Sequence, residues 1–184
     1  MALVTSRPPV PGSRLATKPM AAPTTWSATG TTSGVVHVLH PGDVVVAEQG
    51  DRMETLLGSC VSIVLTDPRR TIGAMCHVVH ATEPGGGTTL ETAHGEPALA
   101  TMYALLISRG IFPTLCEAYV YGGGNMFPDL VRERHVGDAN AAWALAALKR
   151  DRIQVLHQDL GGTAYRKVGW TVGVRDPLVT ARQV

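Results

Sequence analysis

Two apolar runs on either side of one turn constrain the fold more than any other feature of this chain. Val61–Thr66 alternates in the manner of a strand, and Thr71–Val79 supplies a second run. Asp67-Pro68-Arg69-Arg70 lies between them, and proline after aspartate is turn chemistry. The segment therefore predicts an antiparallel hairpin. If the hairpin is centred between Pro68 and Arg69, Cys60 stands directly opposite His77. Directly opposed residues have Cβ atoms about 4.5–5.5 Å apart and share a face. A thiol and an imidazole so placed are within hydrogen-bond reach. The same register gathers Val61, Ile63 and Leu65 with Cys76, Ala74 and Ile72 on an apolar face, which makes Cys76 a packing thiol. Cys60, Ser62 and Thr66 share the other face with His77, Met75 and Thr71. A single bulge would exchange the two faces.

Leu57-Gly58-Ser59 precedes Cys60. Glycine there permits a sharp turn, so the thiol can sit at a strand end beside free backbone N–H groups of Ser59 and Cys60. Such groups are what an oxyanion hole needs. A neighbouring imidazolium can lower a thiol pKa from about 8.5 into the range of about 3.5–7.5. Nucleophile and proton shuttle are then both present for acyl transfer. No carboxylate has a claim to the third place of a triad. Thr55 and Ser59 are the candidates, through a hydroxyl or a carbonyl. An isolated Cys and His in strands are more often structural than catalytic. The Gly-Ser-Cys turn combined with the cross-strand match is what favours chemistry.

The rest of the chain fits one domain. Residues 1–33 carry Pro8, Pro9, Pro11, Pro19 and Pro23 among many Ser, Thr and Ala, and the first acidic residue is Asp43. Such a stretch cannot bury enough apolar surface to offset its chain entropy, so it reads as a flexible tail. Residues 34–184 can bury one real core. Further strands are expected at Val35–Leu39, Val44–Ala47, Leu115–Tyr121, Ile153–Leu156 and Tyr165–Val174. One helix is expected through Leu99, Met102, Tyr103 and Leu106, and another is capped by Asp138 and runs to Lys149-Arg150. Two helices and about seven strands, rich in hairpins, argue a mixed α+β (or mixed α/β) class, with one sheet packed by the helices. The net charge of +1 speaks against a nucleic-acid binder. No apolar run reaches the roughly 18 residues of a membrane span, and no secretory signal is visible, so a soluble cytoplasmic chain is expected. Three cysteines are too few and too odd in number for a disulfide framework.

Other motifs read as structural. Cys60, Cys76, His77 and His80 invite a zinc site, but adjacent strand residues point to opposite faces, so no metal is expected. Gly122-Gly123-Gly124 follows a strand but lacks the Lys-Ser/Thr ending of a phosphate loop, and reads as a tight turn, as does Gly161-Gly162. The Gly85-Gly86-Gly87 stretch reads as a loop, Cys116 as core and Arg132-Glu133-Arg134 as a solvated segment. His37, His40, His94, His135 and His157 have no partner pattern.

The segments Thr55-Leu56-Leu57-Gly58-Ser59-Cys60-Val61 and Gly73-Ala74-Met75-Cys76-His77 resemble the CheD family of chemotaxis proteins, the chemoreceptor glutamine deamidases. Pro41-Gly42-Asp43, Tyr121-Gly122-Gly123-Gly124-Asn125-Met126, Gly137-Asp138-Ala139-Asn140 and Asp159-Leu160-Gly161-Gly162 with Arg166-Lys167-Val168 follow in the family's order. The likeness spans about residues 36–175. It implies a fold akin to the cysteine-dependent deamidase toxins and a Cys-His-Thr catalytic set. Cys60 and His77 match the nucleophile and base, and Thr55 the third member. It also implies action on chemoreceptors, no cofactor, and association with a CheC-type phosphatase. The sequence departs from the family at Cys76 and at Val78-Val79-His80-Ala81, where a short apolar stretch ending in proline is usual. Two further readings keep the residues and change the role. One is a thiol amidase or methyl-esterase on another substrate; the other is a docking module with little catalysis.

Overall fold

Val61–Thr66 is buried along its whole length, which only a strand covered on both faces can be. In a computed structural model describing residues 34–81, 91–130 and 135–183, the strands are β1 (Val36–Leu39), β2 (Val44–Glu48), β3 (Arg52–Leu57), β4 (Val61–Thr66), β5 (Ile72–Cys76), β6 (Glu117–Gly122), β7 (Gln154–Leu160), β8 (Ala164–Thr171) and β9 (Leu178–Gln183). The helices are α1 (Gly95–Ser108) and α2 (Val136–Arg150), with a short 3-10 turn at Pro113–Leu115. The expected tail over 1–33, the Gly85–Gly87 loop and the Arg132–Arg134 segment lie outside the described residues.

The class is mixed α+β with two helices, as expected. The expected single sheet is instead two: β1-β3-β8-β9 and β2-β5-β4-β6-β7. Among the described residues the strands number nine rather than seven, because β3 and β9 escaped the periodicity reading. In β3 the inward positions are Met53, Thr55 and Leu57, while Leu56 faces out and blurs the alternation. β9 is an edge strand with only Val179 partly covered, so it carries no apolar face to read.

Two cores stack on the five-stranded sheet. Val61, Ile63, Leu65, Ala74, Cys76, Ala118 and Val120 face Leu99, Met102 and Leu106 of α1 and Ala144, Ala147 and Leu148 of α2. On the opposite face Val64, Met75, Tyr119 and Tyr121 meet Met53, Leu57, Val168 and Trp170 of the smaller sheet. The order is therefore helices, large sheet, small sheet. Cys76 is a packing thiol, and Cys116 is buried in the same helix-facing core, both as expected. No helix among the described residues is long and apolar enough to cross a membrane.

The β4–β5 hairpin forms, but its register is two residues from the expected one. Val64 pairs with Met75, Leu65 with Ala74 and Thr66 with Gly73. Val61 bridges Val78 beyond them. The turn is longer than supposed because the Asp67 carboxylate organises it. It accepts from the backbone N–H of Arg69 (3.2 Å), Thr71 (2.7 Å) and Ile72 (2.9 Å). Arg70 takes a left-handed conformation, φ 55°, to close the loop. A shift of two leaves every side chain on its expected face. Helix α2 also begins earlier than the expected Asp138 cap. His135 is the N-cap, its Nδ1 accepting from the N–H of Gly137 at 3.0 Å. Asp138 falls in the first turn, where its charge suits the helix dipole.

Candidate active site

Thr55 and His77 come from different sheets and meet in the layer between them. β3 alternates, so Thr55 points inward between Met53 and Leu57, a hydroxyl among apolar neighbours, 3% exposed. His77 directly follows β5, its N–H donating to the carbonyl of Asp43 at 2.9 Å. Its ring Nδ1 lies 2.8 Å from Thr55 Oγ1. Thr55 Oγ1 in turn donates to the Leu39 carbonyl at 3.0 Å. A hydroxyl has one proton to give. With that proton on Leu39, the oxygen can only accept from His77, so Nδ1 carries the ring proton. Nε2 is then a bare lone pair, and it is buried without a hydrogen-bond partner. An orphan acceptor of this kind is costly unless something else uses it.

Cys60 lies on the same face. Val61 and Val78 point into the helix-facing core, so alternation turns Cys60 and His77 the other way, and Cys60 packs at the margin of the core between the sheets. The expected direct opposition is corrected by the two-residue register shift: Ser62 stands opposite His77, and Cys60 is its diagonal neighbour across the Val61–Val78 pair. Diagonal neighbours are about 7–8 Å apart, within reach of a long side chain. No hydrogen bond joins the sulfur to the ring. Ser62 Oγ is itself buried and unpartnered.

The electrostatics differ from the expected ion pair. Burial pushes the Cys60 thiol above its ordinary range. Burial likewise holds the His77 imidazolium down, against partial help from the Leu39 carbonyl and Asp43. Both shifts favour uncharged forms, because desolvation penalises charge. The resting pair is a neutral thiol and a neutral imidazole.

The Gly58-Ser59-Cys60 turn is fastened by all three of its carbonyls. The Gly124 N–H donates to the Gly58 oxygen at 2.8 Å, and the Gly123 N–H to the Cys60 oxygen at 2.8 Å. The Asn140 side chain donates to the Ser59 oxygen at 3.0 Å. The glycine run is thus a buttress, as its reading as a turn implies. At Gly122, φ is +111° and any Cβ would collide with the Cys60 carbonyl oxygen, so only glycine fits. Asn140 entered the sequence reading only as the last residue of the Gly137-Asp138-Ala139-Asn140 helix start, with no role given to it. Its signal is a polar residue on the buried stripe Gly137, Asn140, Ala144, Ala147 and Leu148 of α2. A cleft of about 420 Å³ opens beside Ser59, walled by Met126, Phe127, His135 and Val136.

The family described as CheD chemotactic sensory transduction matches residues 80–175, which begins just past His77. A "Probable chemoreceptor glutamine deamidase CheD" of Pseudomonas syringae pv. tomato is 35% identical over 134 residues, covering 71% of this chain and 80% of the relative. A "Probable chemoreceptor glutamine deamidase CheD 2" of Albidiferax ferrireducens is 37% identical over 142 residues, covering 75% of this chain and 82% of that one. A solved structure of a Neisseria meningitidis protein assigned to DUF152 aligns with a TM-score of 0.39 and 14% identity, over 65% of this chain and 53% of that chain.

Proposed function

The chain belongs to the CheD family, and on that premise we propose that it hydrolyses glutamine side-chain amides of chemoreceptors to glutamate. Cys60 is the nucleophile, His77 the proton shuttle and Thr55 the group that orients it. One observation carries the assignment of roles: the Thr55–His77 hydrogen bond, which leaves Nε2 bare and buried on the face that Cys60 shares.

The reaction starts from the neutral pair. As the Cys60 sulfur attacks the amide carbon, its proton passes to His77 Nε2. Charge develops on the amide oxygen, and in this reading the N–H groups of Ser59 and Cys60 receive it. The His77 imidazolium then gives its proton to the leaving nitrogen, and ammonia departs, leaving a thioester. Water attacks the thioester carbon while His77 takes one of its protons. The C–S bond breaks, the sulfur regains a proton, and glutamate is released. The Ser59 side of the turn borders an apolar-walled cleft, which suits a glutamine presented by a partly apolar protein segment. The product carries a new negative charge, which changes pairing with charges one helical turn away.

Incubation with a receptor fragment tests the reading. Ammonia release with conversion of Gln to Glu in peptide mass spectra is expected, and both vanish in Cys60→Ala. Full activity in Cys60→Ala would refute the role of Cys60. Association with a CheC-type phosphatase is read separately, by a pull-down that survives the same substitution.

A further inference from the structure

We propose that Asn140 is a positioning residue that aims the oxyanion-binding amide of Cys60. The proposal rests on the reading of Cys60 as nucleophile. Asn140 sits in the second turn of α2 and is 1% exposed. Its Nδ2 donates to the Ser59 carbonyl at 3.0 Å and to the Val79 carbonyl at 2.8 Å. Both protons of the amide NH2 are thereby used. One acceptor immediately precedes Cys60. The other lies two residues beyond His77. A single buried group from the helix layer fastens the nucleophile's turn to the chain that bears its base.

The bond to Ser59 has a directional consequence. In a planar trans peptide, the carbonyl of one residue and the N–H of the next point in opposite directions. Drawing the Ser59 oxygen toward Asn140 therefore turns the Cys60 N–H away from the helix. The Gly124–Gly58 bond does the same for the Ser59 N–H. Among the described residues neither of these two amides donates to a backbone carbonyl, and the Cys60 N–H faces its own sulfur. Unpartnered, fixed donors beside a nucleophile are the requirement for holding a tetrahedral oxyanion. The identity of the residue matters as well. Aspartate has no donor and would set a carboxylate against two carbonyls, and serine has one donor for two acceptors.

The test uses the full chain with Asn140→Ala, and Asn140→Ser as a second variant. On a receptor fragment, Asn140→Ala is expected to lower kcat about 10²–10³-fold, the size of losing one oxyanion donor, with KM within about threefold of wild type. Asn140→Ser falls between the two. Alkylation of Cys60 by iodoacetamide provides the contrast. Displacement at a saturated carbon forms no oxyanion, so its rate–pH curve should overlay that of wild type. A merely structural role would move alkylation and kcat together. The proposal is overturned if kcat of Asn140→Ala stays within about threefold of wild type, or if the alkylation curve shifts in parallel with kcat. A wild-type protein that releases no ammonia sinks the deamidase reading alone. Addition of the Cys60 thiol to a simple aldehyde also creates an oxyanion, and a loss of adduct in Asn140→Ala then supports the proposal, while an unchanged yield overturns it.

Discussion

Thr55→Val removes one oxygen from the site and little else. Valine is β-branched like threonine and suits an inward strand position equally well. Two hydrogen bonds disappear: the one from His77 Nδ1 (2.8 Å) and the one to the Leu39 carbonyl (3.0 Å). Each leaves a buried polar group without its partner, at about 1–3 kcal/mol apiece, so the folded state loses about 2–6 kcal/mol. Only the histidine part bears on catalysis. The preference for a proton on Nδ1 weakens by about 1–3 kcal/mol. With that preference gone, about half of the rings keep a bare Nε2, and the ring is no longer held in line with the sulfur, so kcat is expected to fall about tenfold or more. KM should hold, because Thr55 does not line the cleft beside Ser59. The assay is steady-state ammonia release from a receptor fragment, on protein shown to be folded, with Thr55→Ser as the control that keeps the hydroxyl. A folded Thr55→Val enzyme with kcat within twofold of wild type would refute the tautomer argument.

The remaining predictions concern charge and backbone. Burial lowers the His77 pKa, so the ring is neutral and competent at pH 7, and kcat/KM should fall only as pH drops below the ordinary histidine value of about 6.5. An acid limb centred above pH 7 would contradict this. Stability follows the same sign: below about pH 6.5 the unfolded chain binds a proton that the folded ring resists, so His77 costs stability as pH falls. Because the thiol is pushed up, Cys60 alkylation should climb toward and beyond pH 9, and a plateau at neutral pH would reveal a thiolate–imidazolium pair instead. Gly122→Ala should destabilise by at least about 2 kcal/mol in urea unfolding and abolish deamidation, since φ is +111° and the new methyl meets the Cys60 carbonyl. Unchanged unfolding would show that the turn can shift to accept it.

What the sequence disclosed was parity more than position. The expected hairpin was centred one residue too early because the Asp67 carboxylate gathers three backbone N–H groups and lengthens the loop. That error moves every pair by two and so leaves Cys60, Ser62 and His77 on one face and Cys76 on the other. A slip of one in the pairing would instead have set Cys60 and His77 on opposite faces. β3 was illegible as a strand, since a lone hydroxyl among Met53 and Leu57 gives periodicity nothing to register, and Thr55 was reached only as a nearby hydroxyl and through family likeness; the structure sets it 2.8 Å from His77 Nδ1. Asn140 was legible only as part of a helix start; its contacts needed the structure, because a polar residue inside a helix reads as solvated until its stripe is known to be buried.

The division of the site between layers explains why neither sheet carries the chemistry alone. Cys60 and His77 belong to the large sheet and Thr55 to the small one, and Asn140 reaches in from the helix layer. The β4–β5 ribbon by itself leaves His77 free to choose either tautomer, so half of its proton states are useless as a base toward sulfur. Docking the small sheet brings the Thr55 hydroxyl, already committed to Leu39, onto Nδ1 and removes that choice. The same docking dries the layer, which raises the thiol and lowers the imidazole, and in the proposed reaction the proton therefore rests on sulfur until a substrate arrives. On the proposed roles, burial that looks unfavourable to a nucleophile is then what favours an un-ionised Cys60 thiol between encounters, with the Nε2 lone pair of its base already bare. The packing of Met53, Leu57 and Trp170 against Val64, Met75 and Tyr121 is thus a condition of the proposed chemistry as well as of the fold.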